Sequence, residues 1–196
     1  MKITNAGVAR KADAYLKALT ALDRFSGSAL LAQNGEIIFS KGYGFANREH
    51  NVPNTPQTKF RLASVSKQFT AMAILILEER GSLRVTDEVS KYILESPSAW
   101  KGITLRQLLN HTSGIPNYTN FIDWRTTARH SLSPLEVVEP MMKKPLDFRH
   151  GERHSYSNTG YMLLGQIIEV VSGKSYAEYL QQHIFGPLGM KNSGYD

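Results

Sequence analysis

The chain has 196 residues, 41% apolar and 20% charged, with 23 basic against 17 acidic side chains for a net charge of +6. That balance excludes a disordered or fibrous chain, and the length suits one domain or two small ones with an unstapled core. Without cysteine there is no disulfide framework, no thiolate zinc site and no cysteine nucleophile. The longest apolar run, 71–77, falls far short of the ~20 residues that cross a bilayer, so no membrane span is expected. Charges interrupt the apolar residues between Val8 and Phe25, so no signal-peptide core is present. As written, the chain reads as cytoplasmic, or as periplasmic or extracellular if a leader has been removed. Its basic residues are scattered. The densest patch, Lys143, Lys144, Arg149 and Arg153, lacks aromatics spaced for base stacking, which argues against a nucleic-acid partner and for a mild pull on anionic small molecules.

Val8, Ala12, Tyr15, Leu19 and Leu22 recur at helical spacing and predict an amphipathic helix over 6–24. Two apolar runs, 27–33 and 36–45, flank Asn34-Gly35, the pair best suited to the two positive φ angles of a type I′ hairpin turn. A loop rich in Pro, Asn and Thr follows from Asn51 to Thr58. A helix then starts near Val65, with Phe69, Met72, Ala73, Ile76 and Leu77 on its expected buried face and Gly81 as its stop. Thr104 with Gln107 forms a capping box for the next helix, which ends in the turn Asn110-His111-Thr112-Ser113-Gly114. Residues 115–133 read as an aromatic loop carrying Tyr118, Phe121 and Trp124. Helices are expected at Pro134–Met142, Thr159–Val171 and Tyr176–Ile184. No convincing strand follows the hairpin, whose faces and edges need partners to be stable in water.

No Gly-x-Ser-x-Gly elbow is present. Ser64-Val65-Ser66-Lys67 is the motif with chemical content, although Ser98-Ala99-Trp100-Lys101 shares its spacing. Ser64 stands where an extended segment becomes an apolar helix, so its hydroxyl and N–H lie at the positive end of the dipole. Lys67, three residues on, falls on the same face within reach of that hydroxyl, and a lysine buried in a cationic setting can act as a base. Ser98 follows Pro97 in a loop. Equally, Ser64 reads as a plain N-cap serine. Tyr156-Ser157-Asn158 also precedes a helix. Tyr156 becomes a base only where a cation stabilises its anion, a task open to Lys67 if the two helices meet, and Asn158 has the donor and acceptor to hold a lysine or a substrate amide. A capped helix behind a packed aromatic is the plainer alternative.

Taken in order, several blocks carry a resemblance that runs nearly end to end. They are Phe25-Ser26-Gly27-Ser28, Phe60 to Thr70, Leu108 to Pro116, Tyr156 to Tyr161, and Ile184 to Met190. Together they resemble the serine β-lactamase/penicillin-binding-protein superfamily, in its class C-like branch with D-alanyl-D-alanine carboxypeptidases and family VIII esterases. The resemblance implies an α+β fold of β-lactamase/transpeptidase type, with a helical domain packed beside an incomplete antiparallel sheet. It divides the chain into 1–62, an N-terminal part of the α/β domain, and 63–196, the helical domain. It implies Ser64 as the acylated nucleophile, Lys67 as its base partner, Tyr156 as proton shuttle and Asn158 as a substrate-positioning residue, with no cofactor. Two departures stand out. The family's third motif, Lys/His-Thr-Gly-like on a C-terminal strand, has no counterpart before Asp196, so the chain reads as an N-terminal portion whose hairpin lacks neighbours. His150-Gly151 and His154 stand where family members often have Pro-Gly and an aromatic.

Other residues are weaker candidates. His150 and His154 are four apart, but Gly151 lies between them and no zinc-motif glutamate follows, so no metal is expected. His111 sits at a helix end, where a histidine often only complements the dipole. Tyr118, with Phe121 and Trp124, either lines a substrate entrance or packs a long loop. The expected function is therefore a serine hydrolase acting on a small-molecule β-lactam, D-Ala-D-Ala peptide or ester. The alternative is a catalytically incomplete fragment or binding module, completed by a homodimer partner or a missing C-terminal half.

Overall fold

Thr4 opens the first helix, α1 (Asn5–Ala21), its hydroxyl accepting the Gly7 N–H at 3.2 Å. The computed structural model describes residues 4–121 and 132–195. The chain divides into two compact units, Met1–Arg61 and Leu62–Asp196.

In the first unit α1 is followed by an antiparallel pair, β1 (Gly27–Gln33) and β2 (Glu36–Tyr43), with Gly27 opposite Tyr43 and Gln33 opposite Glu36. Asn34 (φ 52°) and Gly35 (φ 81°) supply the left-handed pair that the turn demands. The Asp13 carboxylate ties α1 to β2, accepting from Lys41 at 2.9 Å and from the Tyr43 phenol at 2.7 Å. Burial and the Asp13 charge push that phenol up to about 12. The second strand ends at Tyr43 rather than at the expected Phe45, because Gly44 turns the chain at φ 63°. A separate short ladder follows, β3 (Phe45–Asn47) on β4 (Val52–Pro53), the second strand lying in the expected loop, so strands do follow the hairpin. Tyr15 and Leu22, expected on the apolar face of α1, are exposed.

In the second unit a 3₁₀ turn, Ala63–Ser66, leads into α2 (Lys67–Glu79). Its buried stripe is Thr70, Ala73, Ile74 and Leu77, an i, i+3, i+4, i+7 set. The face is therefore rotated from the expected one, with Ile74 inside and Met72 outside. Leu83, Val89, Ile93, Trp100 and Ile103, from the connection after α2, fill the same core. Trp100 is wholly buried in a single turn, Ser98–Trp100, and Lys101 is extended (ψ 131°), so Ser98 and Lys101 share no helix face. The capping boxes of Thr104 with Gln107 and Ser133 with Glu136 open α3 (Leu105–Leu109) and α4 (Pro134–Met142). The central helix, α5 (Asn158–Ser172), packs on α2, α3 and α4. It buries Leu163, Leu164, Ile167 and Ile168, each contributing about 1.5–3 kcal/mol. The last helix, α6 (Tyr176–Leu180), passes into a π turn, Gln181–Phe185, so the expected helix is α-helical only in its first half. No helix among the described residues is long and apolar enough to cross a membrane.

Asp87 knots the connection between α2 and α3. It accepts from the Arg84 N–H at 3.0 Å, Lys91 Nζ at 2.8 Å and the Tyr92 phenol at 2.5 Å. The hydrogen bonds from Lys91 and Tyr92 hold its carboxyl at about 2, below its usual 3.8. The knot therefore stabilises fully above the unfolded value and weakens as pH falls toward the folded one. Asp87→Asn should lower the denaturation midpoint at pH 7 and flatten its fall between about pH 4 and pH 2, read by urea unfolding across that window. Gly114 has φ 74°, and a Cβ there would collide with the Phe148 carbonyl oxygen. Gly114→Ala should cost at least about 1–2 kcal/mol by the same assay, since the left-handed conformation alone costs an L-residue that much.

Candidate active site

The start of α2 is set by an unusual residue. Ala63 has φ 45°, a left-handed conformation that costs a non-glycine residue about 1–3 kcal/mol and persists only where its surroundings impose it. It introduces the 3₁₀ turn that carries Ser64, and the first α-helical residue is Lys67. Ser64 caps nothing. The residue at the cap position is Ser66, whose side chain makes no capping bond. The Ser64 hydroxyl instead meets the Tyr156 phenol at 2.7 Å and receives a hydrogen bond from Lys67 Nζ at 3.2 Å.

Tyr156 arrives on the extended segment before α5. Ser157 occupies the cap position of that helix, yet its side chain makes no capping bond and its Oγ is buried without a partner among the described residues. Asn117 takes over, its Oδ1 accepting from the Asn158 N–H at 3.0 Å and from Asn158 Nδ2 at 3.3 Å. So held, Asn158 turns its Oδ1 to Lys67 Nζ at 2.8 Å, and the Tyr156 phenol lies 3.2 Å from the same oxygen. Four expected residues thus form one hydrogen-bonded set, with Asn158 holding the lysine. Asn117 and His111 belong to the surroundings of this set and were not singled out as supports. No local pattern marks Asn117, and the role of His111 depends on a segment distant in the chain, whose Ser157 is 46 residues on.

The electrostatics follow from the geometry. Partial burial opposes ionisation of Tyr156, but Lys67 and the Ser64 hydroxyl outweigh it and hold the phenol below its ordinary 10.0. Lys67 Nζ also lies 4.9 Å from the Tyr156 ring centroid and 5.4 Å from that of Tyr161. Burial keeps His111 below the ordinary imidazole value, aided by the charges of His154 and Lys67. Ser64, Lys67 and Asn158 open on a cleft of about 820 Å³ whose walls include Tyr118, Tyr161 and Tyr176. Tyr118 is buried beside Val137 and Met141 as well as lining the cleft. Phe121 is exposed under Lys144, and Trp124 lies outside the described residues. His150 and His154 diverge, the first to Gln107 at 3.2 Å and the second edge-on to the His111 ring.

This arrangement coincides with a family assignment. A sequence model of the beta-lactamase family matches residues 12–196, and the chain belongs to that family, within the serine β-lactamase/penicillin-binding-protein superfamily. Penicillin-binding protein 4* of Bacillus subtilis (strain 168) is 39% identical over 175 residues, covering 87% of this chain and 38% of that protein. Protein flp of Staphylococcus aureus (strain MW2) is 38% identical over 170 residues, covering 85% and 34%. Among solved structures, FmtA from Staphylococcus aureus superposes with a TM-score of 0.81 at 32% identity, covering 93% of this chain and 49% of that one. D-amino acid amidase from Ochrobactrum anthropi SV3 superposes at 0.77 and 28%, covering 91% and 50%. The chain thus spans well under half the length of the curated relatives named here.

The lowered phenol gives a direct check. In a chain labelled at tyrosine Cζ, the carbon-13 titration of Tyr156 should fall below the ordinary phenol range. Lys67→Met should move it upward, because burial is then opposed by one influence fewer.

Proposed function

We propose that this chain carries the acylating centre of a serine hydrolase that works through an acyl-enzyme. Its substrates in this reading are a β-lactam, a D-Ala-D-Ala peptide or a small ester. The observation that carries the reading is the 2.7 Å contact between the Ser64 and Tyr156 oxygens beside a lysine bonded to both Ser64 and Asn158. Residues 63–196 are then the helical domain and residues 1–62 the first part of the α/β domain.

In the first step the ionised Tyr156 phenol takes the Ser64 proton while Oγ bonds to the substrate carbonyl carbon, whose π electrons move to its oxygen. The Lys67 ammonium keeps the phenolate accessible, and Asn158 keeps Lys67 in place. Collapse of the adduct expels the amine or alkoxide, which takes the proton from Tyr156 and leaves an ester on Ser64. Water then gives a proton to Tyr156 as its oxygen attacks the ester, and Ser64 recovers that proton as it departs. The Ser64 N–H, among the first donors of a helical turn that lack an internal acceptor, is placed to bind the oxyanion. The aromatic walls of the cleft suit an acyl group with apolar bulk.

The test uses the full-length polypeptide with a fluorescent penicillin and a p-nitrophenyl ester. A mass increment equal to the acyl group should map to the peptide containing Ser64, and Ser64→Ala should remove it and lower kcat by up to about 10⁶. No adduct and no turnover with either reagent would overturn the reading. A second reading, a binding module that pairs with another copy, draws on the hairpin, whose sheet holds only β1 and β2 among the described residues. Light scattering decides it, since a cooperative, clean monomer contradicts pairing.

A further inference from the structure

His111 ends α3 in an uncommon way. Its φ is 60°, a left-handed conformation for a residue with a ring side chain. That turn points its carbonyl and its imidazole toward the same neighbour, the extended segment that carries Tyr156. The carbonyl accepts the Ser155 N–H at 2.9 Å, and Nδ1 accepts the Ser157 N–H at 3.3 Å. The two bonds sit on either side of Tyr156 in sequence. Between them the imidazole lies against the Tyr156 ring with centroids 4.6 Å apart. The imidazole also packs against Tyr161 on α5, tilted at 5.2 Å, whose phenol is fixed to the Leu109 carbonyl at 2.9 Å.

We propose that His111 is the positioning residue for Tyr156, a three-point clamp that grips the backbone before and after it and the face of its ring. The proposal rests on the acylation reading for its functional consequence, but its geometry does not. Tyr156 needs such support. The residue is 43% exposed, it precedes the helix rather than lying in it, and its phenol must stay within hydrogen-bond reach of Ser64. Its neighbour Ser157 does not cap α5, so the segment gains no rigidity from its own serine.

The clamp requires an unprotonated Nδ1, because a protonated one would face the Ser157 N–H donor to donor. The rings against the imidazole are His154 and Tyr156 from the gripped segment and Tyr161 from α5, and the Lys67 charge acts on it from α2. The two cationic candidates, Lys67 and His154, both disfavour a further positive charge, and burial acts in the same direction. His111 thus works as a neutral acceptor. It touches none of the reacting atoms, and it acts through Tyr156.

Two substitutions separate this role from a merely structural one. Glycine at 111 adopts the same φ without cost but removes both the acceptor and the ring. Asparagine tolerates that φ, and its Oδ1 stands at the same bond count from Cβ as Nδ1, so it restores the grip on the Ser157 N–H. The carbon-13 titration of Tyr156 Cζ reads the clamp without any substrate. In His111→Gly the titration should move up toward the ordinary phenol range while the thermal midpoint changes little. In His111→Asn, which regains the acceptor but not the ring, it should lie clearly back toward the wild-type position. The acylation rate of Ser64 should fall on the order of 10²-fold in His111→Gly, the scale of a displaced catalytic group, with recovery in His111→Asn. An unmoved Tyr156 titration in a folded His111→Gly overturns the proposal. So does a His111→Asn variant that behaves like the glycine variant, or a loss traceable to unfolding in both. Wild-type protein that never acylates, with a titration that moves as expected, keeps the clamp and removes only the acylation reading.

Discussion

The whole site turns on where one ammonium group is held. Lys67 Nζ sits between the Ser64 hydroxyl and the Asn158 amide oxygen, and its charge faces the Tyr156 ring. A phenol at its ordinary value is a poor base near neutrality, and partial burial makes it poorer. Lys67, together with the Ser64 hydroxyl, reverses that balance, so every element that fixes Lys67 or Tyr156 contributes to the proposed chemistry. The 3₁₀ turn and the start of α2 deliver Ser64 and Lys67 together, because residues three apart in a 3₁₀ turn fall on one face. The start of α5 delivers Asn158, and Asn117 fixes its orientation from a different segment.

The fold serves that placement through a large apolar core. The central helix meets α2, α3 and α4, so the two helix starts that carry the site are anchored by the same buried side chains. Packed interiors do not deform continuously, which suits contacts that must hold to within a few tenths of an ångström. Strain is concentrated beside the site instead. Ala63 and His111 both take left-handed backbone conformations next to the residues that carry the proposed chemistry, whereas the other non-glycine examples among the described residues fall in the first unit.

Local chemistry was legible in the sequence wherever it is self-contained. The turn at Asn34-Gly35 and the capping box of Thr104 with Gln107 each complete their bonds within four residues, and they stand where the pattern puts them. Readings that needed a distant partner fared worse. The ladder of Phe45–Asn47 on Val52–Pro53 has no alternation to reveal it and includes a proline. Met72 and Ile74 are equally apolar, so periodicity alone placed the buried stripe of α2 one position off. At the site, the Ser64 and Lys67 spacing was visible, while the meeting of Tyr156 with both was an expectation drawn from ordered resemblance. The plainer alternative of a capped helix does not hold for Ser157, which stands at the cap position and makes no capping bond. His111 looked like a dipole complement, because nothing near it in the chain discloses the segment it grips.

The most direct test of the account is a crystal structure of the full-length polypeptide trapped with a slowly released β-lactam or phosphonate ester. The account predicts continuous density from Ser64 Oγ to the reagent, with the Tyr156 oxygen and Lys67 Nζ both within hydrogen-bond reach of that oxygen. Density joined to another side chain, or a Tyr156 phenol turned away from Ser64, would contradict it.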